Sequence, residues 1–131
     1  MTASPLTTLG VVALGGAIGA VARYQIALAT VALYPRFAPA GTLVANVLGC
    51  FLIGLLMVLA QSQILSETSR QLWVTGGLGA LTTFSTFGWQ TVELVREGRL
   101  TLALLNVGLN GGLGFGAVIA GIWIGRRAIG A

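Results

Sequence analysis

The chain has 131 residues, of which 56% are hydrophobic and 8% are charged, and its net charge is +4. Soluble domains carry about 25% charged residues, so this composition indicates an integral membrane protein. The sequence lacks histidine, aspartate and lysine, which excludes a histidine metal site, a Ser-His-Asp triad and any other nucleophile–base pair of an enzyme. The single cysteine, Cys50, cannot pair within the chain. The basic residues are arginines, mostly near helix ends, a pattern that fits membrane anchoring better than nucleic-acid binding, and no nucleotide-binding motif is present.

Four long uncharged runs predict four membrane-spanning helices. The runs cover residues 1–22, 37–66, 71–92 and 100–125. Each is longer than the roughly 18 apolar residues that suggest a spanning helix. We therefore predict an all-α, multi-pass membrane protein with one domain over residues 1–131 and helices at about 5–29, 40–62, 71–94 and 101–125.

The third predicted helix contains an unusual cluster of hydroxyl and aromatic side chains. Residues 82–87 read Thr-Thr-Phe-Ser-Thr-Phe and directly follow a glycine-rich stretch at Gly76, Gly77 and Gly79. Glycine loosens a helix, and hydroxyl groups can satisfy the backbone groups that a break sets free inside a membrane. We predict that this helix is broken near residues 79–84 and lines an ion path.

Two further polar stripes lie in the second and fourth predicted helices. Thr42 and Asn46 are one turn apart and share a face, and Asn106 and Asn110 repeat this spacing. Such groups often serve only to join helices by hydrogen bonds worth about 0.6–2 kcal/mol each. Two stripes together with the hydroxyl cluster favour a polar pathway through the membrane.

The donors and rings in these segments indicate that the path carries an anion. Phe84 and Phe87 share a face, and the positive edge of an aromatic ring can contact a small anion without binding it tightly. Asparagine and hydroxyl groups can donate hydrogen bonds to the same anion. Arg23, inside the first apolar run and next to Tyr24, has two compatible interpretations: it extends to the membrane interface, or it makes an electropositive vestibule.

The arginine distribution predicts an antiparallel homodimer. With four spans, each side of the membrane receives three arginines, so the positive-inside rule sets no clear orientation. The two sets are Arg70, Arg126 and Arg127 on one side, and Arg36, Arg96 and Arg99 on the other. Two series of glycines also allow close helix contacts, either within the subunit or between subunits. They are Gly15 and Gly19 in the first helix, and Gly108, Gly112, Gly116, Gly121 and Gly125 in the fourth.

Three motifs together resemble the Fluc/CrcB family of fluoride channels. Residues 15–24 (GGAIGAVARY), 41–49 (GTLVANVLG) and 75–87 (TGGLGALTTFSTF) are similar to the family's GGxxGAxxR(Y/W), GTLxxNxxG and TGxxGxxTTFSTF. The last motif is the most specific of the three. The resemblance implies a dual-topology homodimer of four-helix subunits with two fluoride pores.

The resemblance also implies roles for individual residues. Phe84 and Phe87 would be ring-edge ligands of fluoride, Asn46 would donate to it, and Arg23 matches the family's helix-one arginine. The remaining expected pathway residues are Thr42 towards the vestibule, Ser85 and Thr86 in a polar track, and Asn106 and Asn110, where some members have tyrosine and serine. Where some members carry a glutamate shortly after the third motif, this chain has Gln90.

A structural sodium ion is the cofactor that the resemblance implies. It would sit at the dimer centre, bound by the backbone carbonyls of Gly79 and Thr82 from each subunit. Carbonyl oxygens freed by a helix break suit a hard cation.

The expected function is passive, fluoride-selective export across the inner membrane of a prokaryote. One alternative is a small drug/proton exchanger, but that chemistry needs a carboxylate within the membrane, which the first helix lacks. A second alternative is a non-transporting membrane assembly subunit, which leaves the asparagines and the hydroxyl cluster unexplained.

Overall fold

The computed structural model describes residues 4–34 and 37–130, and within these ranges all regular structure is helical. Arg36, part of the predicted charge balance, lies outside the described residues. In chain order the elements are α1 (Pro5–Leu33), α2 (Ala40–Gln61), α3 (Glu67–Arg70), a π-helical segment (Gln71–Leu78), α4 (Gly79–Leu81), α5 (Phe84–Arg96) and α6 (Leu100–Ala128). The elements from α3 to α5, which are interrupted at Thr82 and Thr83, are together called the broken helix here.

Local hydrogen bonds explain where α1 begins and why it is longer than predicted. The Ser4 hydroxyl accepts a hydrogen bond from the Thr7 amide at 3.2 Å, and Pro5 occupies the first helical position, where its missing N–H costs nothing. The helix runs to Leu33, four residues beyond the predicted end. The Thr30 hydroxyl donates to the Ile26 carbonyl at 2.8 Å, so this polar residue stays inside the helix.

Among the described residues, three helices are long and apolar enough to cross a membrane: Pro5–Leu33, Ala40–Gln61 and Leu100–Ala128. Their large apolar side chains point mostly outward; Leu6 is 81% exposed and Phe115 76% exposed. So much apolar surface on a small chain indicates contact with lipid or with a partner. The prediction of an all-helical protein with apolar helices of membrane-spanning length is confirmed.

Glycines place the helix backbones in direct contact at two seams. A Cβ atom at Gly15 would overlap the Leu72 carbonyl of the π-helical segment, and one at Gly19 would overlap the Gly77 carbonyl. At the second seam, between α2 and α6, a Cβ atom at Gly121 would overlap the Phe51 carbonyl. These glycines therefore make close helix contacts within the subunit, which is one of the two alternatives that the sequence left open.

The first three glycines of the α6 series make no such close contact within the described part of the subunit. A Cβ atom at Gly108, Gly112 or Gly116 would meet nothing within 4 Å. These three residues face away from the rest of the described chain. The spacing alone could not separate the two groups, because both follow a four-residue period along the same helix.

Candidate ion pathway at the helix break

The break in the broken helix lies at Thr82 and Thr83, inside the predicted range of residues 79–84. Both residues are extended, with φ −82° and ψ 152° at Thr82 and φ −150° and ψ 112° at Thr83. The Thr83 hydroxyl caps α5 by accepting a hydrogen bond from the Thr86 amide at 3.2 Å. The hydroxyl residues therefore supply the cap that a helix restarting inside a membrane requires.

Asn46 of α2 replaces the helical hydrogen bond that the break removes. In an uninterrupted α-helix the Thr83 amide would donate to the Gly79 carbonyl. Here that amide donates to Asn46 Oδ1 at 2.9 Å. On the other side of the break, the amide and hydroxyl of Thr82 both donate to the Leu78 carbonyl at 3.0 Å. The Gly79 carbonyl thus loses its helical donor at a position where glycine leaves the backbone open.

A cavity of about 580 Å³, here called the larger cavity, opens beside the break. Asn46, Phe84 and Phe87 line it together. The two ring centroids are 5.5 Å apart and the ring planes are inclined by 53°. Phe84 is 83% exposed, so it contributes little to the core of the single subunit. The larger cavity is also lined by Gly79, Thr82, Thr83 and Asn110.

A second cavity of about 340 Å³, here called the smaller cavity, contains most of the remaining polar candidates. Arg23, Thr42 and Thr86 line it, together with Gln90. Among the described residues, Arg23 is the one charged residue that lines either cavity. Thr83 lines both cavities, so the capped break separates them.

Gln90, which lines the smaller cavity, carries an acceptor without a partner in the described part of the chain. Its side-chain oxygen Oε1 is buried and has no hydrogen-bond partner among the described residues. An unpartnered buried oxygen is uncommon and calls for an explanation such as water or an ion nearby.

The three asparagines form one continuous series of hydrogen bonds, here called the amide chain. Asn46 Nδ2 donates to Asn110 Oδ1 at 2.9 Å, and Asn110 Nδ2 donates to Asn106 Oδ1 at 3.0 Å. Asn106 Nδ2 then donates to the Thr91 hydroxyl at 2.9 Å. That hydroxyl donates to the Phe87 carbonyl at 2.8 Å. The amide chain therefore links α2, α6 and α5 to the backbone of a cavity-lining phenylalanine.

Two predicted pathway residues line neither cavity. Asn106 is fully buried, with 0% of its surface exposed, and its amide is occupied by Asn110 and Thr91. Ser85 is exposed, and its hydroxyl lies 3.1 Å from that of Thr83. The remaining predicted residues, by contrast, line one of the two cavities: Arg23, Thr42, Asn46, Gly79, Thr82, Phe84, Thr86, Phe87 and Asn110.

Sequence reasoning missed the roles of Thr83 and Thr91. Thr83 stood inside the recognised motif, but only the structure shows that it caps α5 and lines both cavities. Thr91 lies four residues after Phe87, a spacing at which a hydroxyl can bond to the carbonyl one turn earlier. That spacing is too common in helices to have identified it.

Comparison with known proteins gives the family. A sequence model of the family described as CrcB-like protein, Camphor Resistance (CrcB), matches residues 10–122. The protein named Fluoride-specific ion channel FluC from Salinibacter ruber is 46% identical over 110 residues, which cover 84% of this chain and 83% of the relative. Proteins with the same name from Magnetococcus marinus and Vibrio parahaemolyticus are 52% and 46% identical, over 73% and 92% of this chain and 79% and 93% of the relatives. The chain therefore belongs to the CrcB family.

Proposed function

We propose that the chain is a fluoride-selective channel through which fluoride leaves a prokaryotic cell passively across the inner membrane. Relatives that this chain matches over most of their length are named fluoride-specific ion channels. A channel transports its substrate unchanged, so the chain is not an enzyme. The structural observation that carries the proposal is the larger cavity, where Asn46, Phe84 and Phe87 meet beside a break in a helix.

The chemistry of the larger cavity suits a small anion. Fluoride is strongly hydrated, so a pore has to replace its water with several donors. The NH2 group of Asn46 can donate a hydrogen bond, and the edges of Phe84 and Phe87 carry partial positive charge. No carboxylate of the described residues lines either cavity. This argues against a proton-coupled cation exchanger, since all three glutamates of the chain instead pair with arginines: Glu67 with Arg70, Glu93 with Arg96 and Glu97 with Arg99.

The smaller cavity provides an entry for the ion. The charge of Arg23 raises the local concentration of anions, and the hydroxyls of Thr42 and Thr86 offer donors along the wall. The membrane potential then drives the anion outward, since one charge is worth about 2.3 kcal/mol per 100 mV. No energy source besides this potential is required.

The proposed active form is an antiparallel homodimer in which the broken helix is the third of four spans. Supporting this, Gly108, Gly112 and Gly116 form an open glycine face on α6, and Phe84 is left largely exposed by its own subunit. A tag at the C-terminus tests the arrangement. Dual topology predicts labelling by an impermeant reagent from both faces of the inner membrane, and labelling from one face alone would contradict it.

A sodium ion at the dimer centre is the proposed structural cofactor. The residues present fit such an ion, because the Gly79 carbonyl has lost its helical donor to Asn46 and Thr82 is extended. Carbonyl oxygens of this kind suit a hard cation. The purified dimer should melt at a lower temperature when sodium is replaced by N-methylglucamine. Equal melting temperatures in the two solutions would count against the ion.

Growth of bacteria in fluoride tests the function in cells. A strain without its own fluoride exporter should grow in fluoride when it expresses this chain. The matched control is Phe84→Ile, since Phe84 packs little within the subunit and its loss should not prevent folding. Failure of the wild-type chain to restore growth, although the protein is found in the membrane, would overturn the proposal.

A further inference from the structure

The amide chain has a fixed direction, because the groups at its two ends cannot exchange roles. The Thr83 amide at one end can only donate a hydrogen bond, and the Phe87 carbonyl at the other end can only accept one. The side-chain amide of asparagine can present either its oxygen or its NH2 group on a given side. The Thr83 amide therefore requires Asn46 Oδ1 to face it. The Phe87 carbonyl imposes the same orientation from the other end, through the Thr91 hydroxyl and the other two asparagines.

The orientation of Asn46 decides what the larger cavity presents to an anion. One N–H of its NH2 group is held by Asn110 Oδ1 at 2.9 Å. Within the described part of the chain, the second N–H reaches only the Thr83 carbonyl at 3.5 Å, the limit of a hydrogen bond, and so remains available. If the amide were reversed, an oxygen carrying partial negative charge would take the place of this donor.

We propose that Asn106 and Thr91 are positioning residues of the ion pathway. Acting through Asn110, they hold Asn46 so that its NH2 group, and not its carbonyl oxygen, serves the larger cavity. Neither residue lines a cavity, and Asn106 is fully buried, so neither touches the ion in this arrangement. The inference rests on the proposed function, because it concerns how the same site keeps its donor in place.

The connection to α5 gives the amide chain a second effect. The Thr91 hydroxyl ends the chain on the Phe87 carbonyl at 2.8 Å, one turn earlier in the same helix. The hydrogen bond from Asn106 to Thr91 joins α6 to the helix that carries both phenylalanines. A single series of bonds thus fixes the amide donor and the rings relative to one another.

Substitution of Thr91 provides the sharpest test. Thr91→Val keeps the shape of the side chain but removes the acceptor for Asn106, whereas Thr91→Ser keeps the hydroxyl. The matched control is Ser62→Ala, because the Ser62 hydroxyl also donates to a carbonyl four residues earlier, at 2.9 Å, but lies outside the amide chain. Fluoride efflux per folded protein should fall about tenfold in Thr91→Val, the size expected for losing a hydrogen bond to an ion. It should stay near the wild-type value in Thr91→Ser and Ser62→Ala.

A purely structural role for Thr91 would give a different result. In that case Thr91→Val would be less stable, but the folded fraction would conduct fluoride at the wild-type rate, and the proposal would be wrong. Failure of the wild type itself to conduct fluoride would instead refute the proposed function.

A measurement on the wild-type chain keeps the inference testable if Thr91→Val does not fold. The chain has three asparagines, all in the amide chain, so labelling with ¹⁵N-asparagine gives three side-chain NH2 signals. Each NH2 group donates a hydrogen bond within the amide chain, so at least one proton of each should exchange slowly with solvent, and added fluoride should shift one proton of one pair strongly. Rapid solvent exchange of every NH2 proton without fluoride would overturn the amide chain whether or not the protein conducts.

Discussion

Substitution of two neighbouring glycines in α1 gives a direct test of the seam that holds the broken helix. A Cβ atom at Gly15 would overlap the Leu72 carbonyl and lie 3.0 Å from the Gly77 amide nitrogen, whereas one at Gly16 would meet nothing within 4 Å. Ordinary contacts of carbon are about 3.5–4.0 Å, so Gly15→Ala has to push the Leu72 carbonyl away from α1 by roughly 1.5–2 Å. Overpacking of this kind costs about 1–3 kcal/mol.

The pair of variants separates this overlap from the general effect of alanine on a helix. Both Gly15→Ala and Gly16→Ala gain up to about 1 kcal/mol of helix propensity. The difference of about 1–3 kcal/mol between them therefore measures the overlap alone. The assay is thermal unfolding of the purified protein in detergent, followed by fluoride efflux from liposomes.

Gly15→Ala should melt below Gly16→Ala and should conduct less fluoride, because the displaced segment leads into the break at Thr82. The residue at position 16 faces open space, so Gly16→Ala should conduct as the wild type does. Equal melting temperatures for the two variants would refute the close contact between α1 and the π-helical segment.

Three other predictions follow from the pathway and from the surface charges. Phe84→Ile and Phe87→Ile should each reduce fluoride efflux strongly while the dimer stays folded, and wild-type efflux in both would refute the role of the ring edges. Arg23→Gln should reduce efflux most at low salt, because an ionic strength of 0.1 M screens charges beyond about 10 Å; a reduction that does not change with salt would count against the electropositive entry. The hydrogen bond from Arg70 holds the pKa of Glu67 below its usual value. This exposed pair therefore contributes a little stability at pH values above the pKa that Glu67 has in the unfolded state, and the contribution is lost as the pH falls through the pKa in the folded state. When the pH is lowered, Glu67→Gln should therefore lose slightly less stability than the wild type, as measured by unfolding at a series of pH values. An identical pH profile for the two proteins would contradict the assignment.

The position of the break was predictable because its causes are local. Glycines followed by hydroxyl residues favour a break with its own cap, and the structure has extended residues at Thr82 and Thr83 with the Thr83 hydroxyl capping α5. The spacing of Thr42 and Asn46 also indicated a shared face. The structure adds that they serve different cavities, since Asn46 lines the larger one and Thr42 the smaller one.

The partners of the polar groups were not predictable from the sequence. Asn106 and Asn110 repeat the same helical spacing, yet Asn110 lines a cavity and Asn106 is fully buried. The difference depends on Thr91 of α5, which meets Asn106 only after the helices have packed. A periodic pattern defines a face of one helix but does not specify which neighbouring helix that face contacts.

Fluoride efflux from liposomes tests the central claim most directly. The purified chain is reconstituted in liposomes loaded with potassium fluoride or potassium chloride, and release is recorded with ion-selective electrodes after a potassium ionophore is added. The account predicts rapid release of fluoride and no release of chloride. Folded protein that releases neither ion, or releases both at similar rates, would contradict a fluoride-selective channel.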